Sequence, residues 1–187
     1  MGADVHRGSA GRRSRPEADL VALVAFALVA ACNLPRDAAG TLDRVRRGTM
    51  RVGFAVDTPW VTDSGGEAGG VEGRIVNGLA RALGARIEWT HGHESELLNA
   101  LHDRELDLVV GGLTADSPWR AKVAFTRPYH VDSGVVLRSP GAKARQEKHV
   151  LALPPGENGW LVHVERFLRD ERALLASALE KKTGTAR

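Results

Sequence analysis

The densest binding chemistry in this sequence lies in Gly111-Gly112-Leu113-Thr114-Ala115-Asp116-Ser117-Pro118-Trp119-Arg120. A guanidinium such as that of Arg120 offers a bidentate fork to a carboxylate. Ser117 before Pro118 fits an N-cap followed by proline at the first helical position, and a helix start supplies N–H groups to an anion. Thr114 adds a hydroxyl. Asp116 can accept from an ammonium or cap the helix. Trp60, in the turn Asp57-Thr58-Pro59-Trp60, can form an apolar wall for a ligand. His91 and His93 beside Glu94 hint at a metal, but without a spaced third ligand they read as solvated, so no metal is expected. No Ser/His/Asp order, phosphate loop or spaced carboxylate pair suggests catalysis or a cofactor.

The remaining reactive group is Cys32, the single cysteine, which excludes an intrachain disulfide and a multi-Cys zinc site. It follows an unbroken apolar run over residues 20–31, preceded by Arg7, Arg12, Arg13 and Arg15. Twelve residues at about 1.5 Å each fall well short of a bilayer core. A basic segment, a short apolar core and small residues before the cut describe a secretory signal. Val29-Ala30-Ala31-Cys32 resembles the bacterial lipobox, which implies a lipid-anchored, exported protein with its thiol consumed as a thioether. Removing 31 of 187 residues leaves a chain of 156.

The whole sequence carries 26 Lys+Arg against 23 Asp+Glu, a net charge of +3 without basic runs interleaved with aromatics, so no nucleic-acid partner is expected. At 43% hydrophobic and 26% charged it can bury a core, and its 21 Gly and 8 Pro favour a turn-rich α/β domain over a bundle.

These residues need elements to hold them. Residues 32–48 read as a tether, with a short helix near Leu42. Residues 50–56 read as a strand. Ile75, Val76, Leu79, Ala80 and Leu83 share a helix face closed by Gly84. A strand follows over 85–90, a helix through Leu97, Leu98 and Leu101, and a buried strand over 106–110. This alternation implies parallel pairing through right-handed crossovers. Further strands are expected at 123–126, 134–137 and 150–153. A long helix carries Trp160, Leu161, Val164, Phe167 and Leu168, with Leu174, Leu175 and Leu179 continuing the stripe. Glu72 reads as a first-turn residue that complements the helix dipole.

Four segments in order carry a resemblance: Pro59-Trp60, Gly70-Val71-Glu72, the run from Asp107 through Gly111-Gly112 to Thr114, and Phe125-Thr126-Arg127-Pro128-Tyr129. Together they are similar to the family 3 extracellular solute-binding proteins, the polar amino-acid receptors of ABC importers. The resemblance implies a single periplasmic-binding-protein-like lobe over 49–182, a mostly parallel sheet flanked by helices, with a tail at 183–187. Only 11 residues separate Leu137 from His149, where the family inserts a second α/β lobe, so a connector at 139–148 replaces that lobe.

The implied site is Trp60, Thr114, Asp116 and Arg120 for a small polar ligand such as an amino acid: Thr114, the Ser117-capped turn and Arg120 clamp its α-carboxylate, Trp60 forms the wall for its side chain, and Asp116 accepts from an ammonium or caps the helix. Asp107 to Arg120 is one residue longer than the family's usual spacing. The implied partners are an ABC permease, the membrane through Cys32, and a second copy that closes the open face. An interaction or sensory module on a truncated lobe, or a non-functional remnant, are the competing readings. An enzyme is not expected, because a half cleft cannot exclude water.

Overall fold

The computed structural model describes residues 37–131 and 146–171. The leader, Cys32, most of the 139–148 connector, the strand at 134–137, the stripe beyond Leu174 and the 183–187 tail lie outside the described residues. Among the described residues no helix is long and apolar enough to cross a membrane.

Helix α1 (Thr41–Val45) leads into β1 (Thr49–Phe54). After a small ladder of β2 (Thr62–Asp63) and β3 (Ala68–Gly69) comes α2 (Gly70–Leu83), then β4 (Arg86–His91), α3 (Glu94–His102) and β5 (Leu108–Val110). A 3-10 turn (Pro118–Ala121), β6 (Ala124–Phe125) and β7 (His130–Val131) precede the connector. Beyond it stand β8 (Lys148–His149), β9 (Ala152–Leu153) and α4 (Asn158–Asp170).

The main sheet has the order β4-β1-β5-β9-β6. β1 pairs in parallel with β4 and β5, and β9 is antiparallel to both its neighbours, β5 and β6. Strand β9 alone therefore runs backwards, and the mostly parallel expectation holds. β7 and β8 form a separate two-stranded ladder on either side of the connector.

Alternation along each strand divides the core between two faces. Met50, Val52, Phe54, Leu108, Val110, Leu151 and Leu153 meet α2 and α4 through Val76, Leu79, Trp160 and Val164. Val109, Val150 and Ala152 meet Leu97, Leu98 and Leu101 of α3 on the other face. Helix α2 ends where expected, at Gly84, whose φ of 64° is the left-handed conformation a helix stop requires.

From Asp37 onward, the segment read as a tether folds onto this lobe. The carboxylate of Asp37 accepts from Leu42 N at 3.0 Å and Trp160 N at 2.8 Å, at the starts of α1 and α4. Reciprocally, buried Glu157 accepts from Ala39 N at 2.7 Å and Thr41 N at 3.0 Å. Burial alone would raise the Glu157 pKa; the amides of Thr41 and Ala39 outweigh it and lower the pKa. The local sequence held the helix near Leu42 but not its docking partner, 116 residues away.

At the same end of the sheet, Asp107 just before β5 is a buried junction. It accepts from Arg51 N at 2.9 Å and Arg51 Nη2 at 2.7 Å, and pairs with the guanidinium of Arg44 on α1. Its own carbonyl accepts from Trp160 Nε1 at 2.7 Å. Burial pushes the Asp107 pKa up, but the hydrogen bonds from Arg44 and Arg51 prevail and hold it below its ordinary value.

A depressed folded pKa means this stabilisation is present above the unfolded carboxylate pKa of about 3.9 and is lost as pH falls through the folded value. Replacing Asp107 by Asn is expected to destabilise the lobe by about 3 kcal/mol, the low end for a broken buried pair, because both guanidiniums reach solvent. Urea melts at pH 7 and pH 3 would check this: the deficit should be largest at pH 7 and shrink in acid.

Candidate functional site

The carboxyl ends of β1, β4 and β5 open together onto one groove of about 730 Å³. Open α/β sheets bind ligands outside the carboxyl ends of their strands. Each strand delivers a loop to the wall. β1 supplies Val56 and Asp57, β4 supplies His91, His93 and Glu94, and β5 supplies Gly111, Gly112, Thr114 and Asp116. Asp57, Glu94 and Asp116 place three carboxylates on the wall, and among the described residues no Lys or Arg lines it. Helix α3 begins at this wall, with Glu96 reaching back so that its carboxylate accepts from His93 N at 3.4 Å.

The loop after β5 is held by the returning chain. Ala115 N donates to the Lys148 carbonyl at 2.9 Å, and Val150 N to the Leu113 carbonyl at 2.9 Å. Thr114 Oγ1 donates to Asp116 Oδ1 at 2.7 Å, so these two expected site residues meet on the groove wall. Ser117 does cap the following turn, accepting from Trp119 N at 3.4 Å, but that turn is a single 3-10 turn. Arg120 sits on it with an exposed side chain and lies outside the groove lining.

Trp60 is also placed differently. It is only 7% exposed and belongs to the main core. Its ring lies against buried His149 with centroids 3.9 Å apart, and approaches His130 at 5.3 Å and Tyr129 edge-on at 6.2 Å. The turn above it explains the burial. Gly112 has φ 65°, and a Cβ there would come within 3.1 Å of Trp60 Cδ1 and collide with Oδ2 of Asp57.

Beneath the groove lies a carboxyl group read from sequence only as a dipole complement. Glu72 is fully buried, and its Oε2 accepts from Gly111 N at 2.7 Å and Gly112 N at 3.2 Å. Its Oε1 accepts from the Tyr129 hydroxyl. Burial raises its pKa, and the hydrogen bonds from Tyr129, Gly112 and Gly111 offset this only in part.

His91, His93 and Glu94, read as solvated, are indeed on the surface, yet they form one side of the groove. The parallel register of β1 with β4, Phe54 opposite His91, is what brings them beside Asp57. Among the described residues no group of His, Cys, Asp or Glu is arranged to hold a metal ion.

With this geometry, residues 50–182 match the family model for bacterial extracellular solute-binding proteins, family 3. The chain belongs to this family. A probable histidine-binding protein of Campylobacter jejuni is 24% identical to this family 3 chain over 133 residues, which are 71% of this chain and 52% of that protein. The chain thus spans about half the length of that relative.

Two solved structures share the fold. One is the arginine-bound form of domain 1 from TmArgBP of T. maritima, with 22% identity and a TM-score of 0.56, covering 68% of this chain and 97% of that one. The other is the ancestral amino acid-binding protein AncCDT-1, a precursor of cyclohexadienyl dehydratase, with 19% identity and a TM-score of 0.62, covering 75% and 98%. The lobe is therefore that of a single periplasmic-binding-protein domain, and the family and the curated relative are solute-binding proteins rather than enzymes.

The left-handed Gly112 turn generates a test. Gly112→Ala is expected to lower stability by about 1–3 kcal/mol, the range for a strained backbone position. It should also displace Asp57 from the groove wall. Thermal melts check the first effect, and the His91 and His93 ring signals in NMR check the second.

Proposed function

We propose that this family 3 lobe is an exported amino-acid receptor module whose groove takes a small cationic amino acid. One observation carries the reading: the carboxylates of Asp57, Glu94 and Asp116 converge on the lining of one groove. Charge complementarity favours a cation there. The binding partners of its relatives support the same class, since one is named for histidine and another is an arginine-bound domain.

In this reading Thr114 and Asp116 contact the ligand. Trp60 supports the floor from below. Arg120 reaches the ligand only through rotation of its 3-10 turn toward the groove. A single lobe offers one wall, whereas good small-molecule sites bury about 70–90% of the ligand. Affinity in the monomer is therefore weak, high micromolar or weaker. A second copy across the open face would tighten it, and an ABC permease is the natural acceptor of the cargo. Export with a lipid anchor at Cys32 follows from the signal-like leader.

Calorimetry with arginine, histidine, glutamine and glutamate, with oligomeric state measured alongside, tests the ligand class. Arginine or histidine should bind and glutamate should not, and Asp116→Asn should weaken the cation by about fivefold, the worth of one exposed charge pair. Absence of binding to every amino acid overturns the reading, and sub-micromolar affinity in a verified monomer overturns the one-wall argument. For the anchor, Cys32→Ser should move the protein from the detergent phase to the aqueous phase in a partition assay. An unchanged partition would exclude lipidation at that residue.

A further inference from the structure

We propose that Glu72 is a positioning residue for the ligand groove, holding the Gly111–Gly112 turn in its groove-forming conformation and coupling it to Tyr129. This rests on the groove being the ligand site. The two glycine amides both donate to Oε2 of Glu72, at 2.7 and 3.2 Å, from a turn whose φ at Gly112 is 65°. Glycine lowers the cost of that conformation but does not select it, because glycine visits many others. Selection comes from the acceptor underneath. Removing it would leave two N–H groups facing a buried site without their partner, a cost large enough to refold the turn.

The other oxygen of Glu72 takes the Tyr129 hydroxyl. Tyr129 does not line the groove; it lines a separate recess of about 230 Å³ beside α4, and immediately precedes β7. One carboxyl group therefore bridges the groove floor and the strand that leads into the connector. A change in the turn on binding must alter the Glu72 contact, and with it the Tyr129 contact, since both oxygens belong to one rigid plane.

Tyr129 is the only tyrosine in the chain, so tyrosine-selective labelling of the full-length protein yields one ring signal. The experiment compares wild type, Glu72→Gln, which keeps an acceptor oxygen for the amides, and Glu72→Leu, which keeps the volume and removes both acceptors. Arginine is the probe. Expected are an arginine-dependent shift of the Tyr129 signal in wild type, affinity within about threefold of wild type for the Gln variant, and a loss of about tenfold or more for the Leu variant.

A merely structural role would lower the melting temperature of the Leu variant while leaving the affinity of its folded fraction and the Tyr129 response unchanged. That result overturns the proposal, as does a failure of Gln to rescue. Should the Leu variant not fold, amide exchange decides on wild type and the Gln variant: slow exchange at Gly111 and Gly112 in both supports the proposal, and surface-like rates in wild type overturn it. Should arginine bind no variant, the ligand reading fails, and the same exchange rates still decide whether Glu72 holds the turn.

Discussion

Strand β9 occupies a slot that nothing earlier in the chain can fill. β5 and β6 do not pair with each other; β9 lies between them and runs against both. Its neighbourhood contributes to both sides of the core at once, Leu151 and Leu153 toward α2 and α4, Val150 and Ala152 toward α3. The sheet is complete only with residues that follow the connector in sequence. Because the same stretch also carries Lys148 and Val150 to the loop after β5, closing the sheet and shaping one groove wall are a single event.

Three buried carboxyl groups divide the remaining work by position. At the amino end of β5, Asp107 gathers two guanidiniums and a backbone amide, so its charge is matched. Glu157 is matched by backbone amides at the start of α1. Glu72, at the opposite end, has no guanidinium beside it among the described residues and burial dominates its titration, whereas Arg44 and Arg51 at Asp107, and the Thr41 and Ala39 amides with Arg104 at Glu157, keep the other two acidic. The structure thus separates a pole where carboxylates meet guanidiniums and helix-start amides from a pole built of glycine turns, rings and one carboxyl without a cationic hydrogen-bond partner.

Much of this was legible locally. The apolar stripes of α2 and α4, the Gly84 stop and the buried strand around Leu108 follow from periodicity, because each face is decided by neighbours three or four residues away. The position of β9 was not, since strand order depends on pairings that no local pattern encodes. The site shows the same divide. Thr114 and Asp116 were singled out from one short segment, and their side chains do meet on the groove wall. Trp60 was expected as the apolar wall beside a ligand, and the ring it packs against, His149, sits 89 positions later. Glu72 looked like an ordinary first-turn acid because its partners, Gly111 and Gly112, lie in the loop after β5, about 40 residues away.

The reciprocal contacts of Asp37 and Glu157 also fix where load is borne. The described chain begins at Asp37, beside the Asp107 junction and at the amino ends of the strands. The groove opens at the carboxyl ends. A pull on the backbone preceding residue 37 would be taken first by these carboxylate–amide hydrogen bonds, with the length of the sheet between them and the groove. The described lobe is thus fastened at one end of its sheet and open at the other, so strain applied at Asp37 need not deform the groove.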